Sequence, residues 1–87
     1  MEFKGTKGNW IIEYSNRDDS YDIYNESKDE FVCTTMNSLD IEKYNALLIS
    51  KAPEMLEMLN DILEAQDSGE TFHSYKIEQL IKEATTI

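Results

Sequence analysis

The apolar residues of this 87-residue chain change their spacing once, between residues 35 and 39. Before that point they fall on alternate positions. After it they recur every third or fourth position. A period of 2 marks a strand with one buried face, and a period near 3.6 marks a helix with one buried stripe. Strands come first and helices after, an order that indicates the α+β class with helices packed on one face of a sheet.

The strand half divides at polar turns. In 10–14, Trp10, Ile12 and Tyr14 alternate onto one face. Residues 15–20 (Ser-Asn-Arg-Asp-Asp-Ser) are rich in side chains that bond their own backbone. In 21–24, Tyr21 and Ile23 share a face, 25–29 is a second polar turn, and 30–35 is a third strand. Short polar turns between three strands predict an antiparallel meander over 10–35.

Helices are expected near 39–51, 53–66 and 74–85, all within one domain spanning 1–87. Ser38 reads as the first N-cap, with Asp40 and Glu42 in the turn where the helix dipole favours acids. Pro53 predicts a break or kink at Ala52, since proline disfavours helix in the residue before it. Met55, Leu56, Met58, Leu59, Ile62 and Leu63 form a broad apolar arc, and 67–71 is a terminator around Gly69. Ser74 reads as the cap of the last helix, whose stripe is Ile77, Leu80, Ile81 and Ala84. The expected core is Trp10, Ile12, Ile23, Leu47, Leu48, Leu56, Leu59, Leu63, Ile77, Leu80 and Ile81. Leu56→Ala should cost about 2–5 kcal/mol if its helix is central.

Charge narrows the function. Eighteen acids against eight bases give −10 at pH 7, so direct binding to nucleic acid phosphates, which needs clustered Lys and Arg, is not expected. No apolar run approaches the ~20 residues of a membrane span, and no charged start precedes a signal-like apolar segment. A single cysteine, Cys33, allows no internal disulfide and fits a reducing compartment. It reads as a small, half-buried strand residue, and the lone His73 as a loop or capping residue; two such residues are not a zinc site. The three glycines form no phosphate loop, and one histidine without a nucleophile elbow offers no triad. Asp18, Asp19 and Asp22 lack the glycine and terminal glutamate of a calcium loop. No catalytic residue, metal or cofactor is expected.

What remains are candidate partner-binding residues. Asp18, Asp19 and Asp22 gather at the first hairpin, with Tyr21 and Tyr24 beside them. Glu54, Glu57, Asp61 and Glu64 lie on the second helix, and Glu57, Asp61 and Glu64, spaced by 4 and 3, share one face. For each acid, solubility is the plainer explanation. Met55 and Met58 divide between filling an irregular core and presenting an adaptable binding surface. An arc this wide has room to serve both the core and a second copy of the chain.

Two segments carry a resemblance. Residues 44–59 run Tyr-Asn-Ala-Leu-Leu-Ile-Ser-Lys-Ala-Pro-Glu-Met-Leu-Glu-Met-Leu. This is similar to an Asn-Ala-x-Leu-Ile-x-x-Ala-Pro-x-Leu-Leu-x-x-Leu helix pair found in small uncharacterised proteins of phages and prophages. Those proteins open with Thr-Pro-Gly-Pro-Trp. Here Thr6-Lys7-Gly8-Asn9-Trp10 keeps Thr, Gly and Trp and lacks both prolines. The resemblance implies an accessory phage protein acting in the host cytoplasm and carries over no catalytic residue. With the acidity it points to a non-enzymatic inhibitor of a host defence protein, first a CRISPR inhibitor acting on an RNA-guided nuclease or its guide loading. The alternatives are an oligomeric sponge for a nucleotide immune signal and a structural or regulatory phage protein without a defence role.

Overall fold

The computed structural model describes residues 3–36 and 41–86. Strands β1 (Trp10–Ser15), β2 (Ser20–Asn25) and β3 (Phe31–Met36) are followed by helices α1 (Glu42–Ser50), α2 (Ala52–Ser68) and α3 (Ser74–Thr85). The strands form one antiparallel sheet in the order β1-β2-β3. The fold is the α+β arrangement expected from the change in spacing. Ser38, Leu39 and Asp40, expected to open the first helix, lie outside the described residues.

Register decides which side chains face α1. Ile12, Ile23 and Cys33 form one cross-strand row, and Tyr14 pairs with Tyr21 on the same face. Ile23 has no exposed surface, and Ala46 and Ser50 of α1 are buried, because α1 packs across all three strands. The other face carries Ile11, Glu13, Asp22, Tyr24 and Phe31, with Tyr24 and Phe31 in edge-on ring contact at 5.5 Å. There Lys28 pairs with Glu13 at 3.0 Å.

The turns are held by their own polar groups. Asp19 sits at φ 50° and its carboxylate accepts the Tyr14 hydroxyl at 2.6 Å. The second turn is built on Asn25, a buried amide. Its Oδ1 accepts the Glu30 N–H at 3.0 Å and its Nδ2 donates to Asp29.

α1 and α2 meet at Lys51, whose N–H donates to Leu48 O and whose own carbonyl accepts the Met55 N–H. The break thus falls at Lys51, one residue before the expected Ala52. Pro53 lies in the first turn of α2, where its missing N–H leaves no bond unmade. α2 ends at Gly69, which takes φ 76° so that Glu70 N–H reaches back to Ala65 O at 2.8 Å. Ser74 is the first residue of α3 and does not cap it. The extended His73 holds the cap position, without a side-chain bond.

The expected core needs correcting. Among the described residues the buried apolar side chains are Ile23, Ala46, Leu80 and Ala84, while Leu48, Leu56, Leu59, Leu63 and Ile81 are exposed. Trp10, Ile12, Leu47 and Ile77 are half-buried, and α2 contains no buried residue. The reason is geometric. Three strands at about 4.8 Å spacing make a sheet roughly 14 Å wide, which one helix about 10 Å across nearly covers. α1 takes that place, and α2 and α3 pack on α1 and on each other. The molecule is consequently drawn out to 51 × 26 × 16 Å.

Candidate functional site

Spacing groups the acids of α2, and the structure gives three of them a common wall. Glu54, Glu57 and Asp61, with Met58, line a groove of about 450 Å³ whose opposite side is Tyr75, Lys76, Gln79, Leu80 and Glu83 of α3. Met58 is half-buried and Leu80 buried, so the groove has an apolar floor. Around it stand four carboxylates and one ammonium. Glu54 belongs to the first turn of α2, where the helix N-terminus favours a carboxylate. Its Oε2 is shielded from solvent and accepts no hydrogen bond from the described residues. Such an oxygen has acceptor capacity left for an incoming donor.

Glu64 lines the adjoining recess of about 530 Å³ with Ser68, Glu70, Phe72 and His73, and Asp61 and Lys76 border both spaces. The 3-4-3 acid row therefore runs along one continuous side of α2. Met55 is half-buried and outside both recesses. Leu56 lines a third, smaller recess of about 220 Å³ with Phe3, Trp10, Ala52 and Pro53.

The hairpin candidates come together less well. Asp18 is exposed and its N–H donates to Ser15 Oγ. Asp19 already engages Tyr14. Asp22 is half-buried and accepts from Ser20 Oγ at 3.0 Å and Thr34 Oγ1 at 2.7 Å. Tyr21 packs on Tyr14 on the α1 side of the sheet, whereas Tyr24 meets Phe31 edge-on on the open side. Three residues apart in a strand is an odd step, and odd steps point to opposite faces. A partner approaching one face of the hairpin meets one of these tyrosines and not the other.

Sequence reasoning missed Tyr75, Lys76, Gln79 and Glu83, the α3 side of the groove, and placed Leu80 only in the core. A signal was present: Lys76, Leu80 and Glu83 recur at 4 and 3 and so share a helix face. Gln79 Nε2 donates to Glu83 Oε2 at 3.0 Å, which fixes that part of the rim. Among the described residues no three His, Cys, Asp or Glu side chains converge as metal ligands. No described helix is long and apolar enough to cross a membrane. Cys33 lies on the α1 side of the sheet, and burial raises its thiol above the ordinary cysteine range.

The model of the protein family described as Salmonella phage P22 protein Y8K6 matches residues 1–87. No curated protein matches the chain, and no solved structure does.

Proposed function

The chain belongs to that phage protein family, and on this premise we propose that it is a non-enzymatic binding protein that disables a host defence effector in the host cytoplasm. The α2–α3 groove is the docking site, and its occupant is a basic segment of an effector that handles nucleic acid. The proposed target is an RNA-guided nuclease, engaged directly or while its guide RNA is loaded. One observation carries this reading: four carboxylates surround the apolar floor formed by Met58 and Leu80. An apolar floor with an acidic rim complements a helix or loop that presents lysine or arginine around an apolar residue. The net charge of −10 adds long-range attraction to any basic channel and raises the rate of encounter.

The same charge count disfavours the nucleotide-sponge alternative. Phosphates are held by Arg, Lys or helix N-termini, and the groove offers one lysine against Glu54, Glu57, Asp61 and Glu83.

The test is plasmid interference in cells carrying an active RNA-guided nuclease. Co-expression of the protein should raise transformation of the targeted plasmid at least tenfold, and E57K/D61K should abolish that rise. Undiminished interference across the nuclease types tested would remove the defence reading, leaving a structural or regulatory role in the phage.

A further inference from the structure

We propose that the α2–α3 groove selects arginine over lysine, seating one arginine of the basic segment with its guanidinium on Glu54 and its plane against Tyr75. This rests on the reading of the groove as the docking site for such a segment. Four carboxylates attract either cation, so charge alone does not choose between them.

Shielding does. Glu54 Oε2 lies out of water without a hydrogen bond from the described residues, in a groove floored by Met58 and Leu80. A donor that reaches this oxygen must shed its own water. An ammonium is strongly hydrated, whereas a guanidinium is weakly hydrated and gives up water at smaller cost. Spacing points the same way. Glu57 stands three residues from Glu54 and four from Asp61, so each carboxylate neighbours the next on the helix surface. A guanidinium carries five N–H donors in a planar fork and can bridge two such carboxylates, while an ammonium is a compact point charge. Tyr75 adds an aromatic surface that lines the groove and is still 63% exposed. Its ring rests on His73 at 5.6 Å, and a guanidinium stacks on aromatic faces of this kind.

The chain contains its own comparison. Lys76 lines the same groove, yet its ammonium lies over the Phe72 ring, 5.7 Å from the centroid, and Phe72 belongs to the adjoining recess. Among the described residues Lys76 pairs with no carboxylate, and no ion pair or side-chain hydrogen bond engages Glu54, Glu57 or Asp61. An ammonium tethered at the edge of the groove thus leaves these acids uncompensated. Gln79 already donates to Glu83, so the open acceptor capacity is on the α2 wall.

Fluorescence anisotropy with two labelled synthetic peptides tests the selection. They share one sequence around a central leucine, with arginine at every cationic position in one and lysine in the other. At 50 mM salt the arginine peptide should bind at least tenfold more tightly. Glu54→Gln and Tyr75→Leu should each cut that ratio at least threefold, with an unchanged far-UV circular dichroism spectrum. Glu30→Gln, which removes the same charge from an exposed bend, should leave the ratio as it is. Equal affinity for the two peptides, lost together in E57K/D61K, overturns arginine selection and leaves the basic docking segment standing. A ratio that survives Glu54→Gln or Tyr75→Leu, or falls as far with Glu30→Gln, overturns the assignment to these residues. Binding of neither peptide overturns both readings.

Discussion

At Ile23 the neighbouring strand residues Ile12 and Cys33 and the overlying α1 leave nothing in water. Ile23→Ala removes packed atoms and opens a cavity, so it should lower unfolding free energy by about 2–5 kcal/mol. Leu59→Ala, at an exposed position, should cost no more than about 1 kcal/mol, because surface truncations do little. Urea titration ranks the two, and the opposite order would bury α2. Asn25 anchors the turn at 25–30. Its bonds and those of Ser27 hold the Asp29 carboxyl below its usual range, the Asn25 bond contributing most. A depressed pKa means the folded state keeps the charge more readily than the unfolded chain. That stabilisation is complete above the ordinary aspartate range, near about 3.9, and fades as pH falls through the lower folded value. Asp29→Ala should therefore trail the wild type by a constant margin from pH 5 to 8, and the gap should begin to close only below about pH 4. A gap as wide at pH 2.5 as at pH 7 would contradict this origin.

Among the elements, the strands and helices were legible and their depth was not. Alternation in 10–14 fixed which face Trp10, Ile12 and Tyr14 share, and the register puts that face towards α1. The α2 stripe was equally clear, but spacing records which side chains lie together and says nothing of what covers them. Read from spacing alone, Leu56, Leu59 and Leu63 belong to the core of so small a chain. The width of a three-stranded sheet, filled by α1, was the missing constraint. The acid row at 57, 61 and 64 was legible as a face, while its extension to Glu54 and its opposite wall on α3 required the packing of two helices. At the end of α2, Gly69 holds φ 76° with nothing within 4 Å of the position a Cβ would take. Gly69→Ala is thus strained by conformation alone and should cost about 1–2 kcal/mol. Faster amide exchange at residues 66–70 would accompany the loss. An unchanged stability would mean the helix ends without the left-handed turn.

For the molecule as a whole, a thin core and an elongated shape leave α2 outside the part of the fold that closes on itself. One side of this helix, with α3, forms an acidic groove, and Leu56, Leu59 and Leu63 on its other side are exposed. Proteins gain little affinity from rim charges alone, but such charges govern association rate and salt dependence. Salt is therefore the variable that separates a working acidic groove from acids that only keep the chain soluble. The direct measurement is affinity for the proposed target, an RNA-guided nuclease of the host, at 50 and 250 mM salt, for the wild type and two triple variants. E57K/D61K/E64K should weaken binding at least tenfold at 50 mM and flatten its salt dependence, while D18K/D19K/D22K stays near the wild type. If the α2 variant binds with unchanged affinity and unchanged salt dependence, the acidic groove is not the docking site.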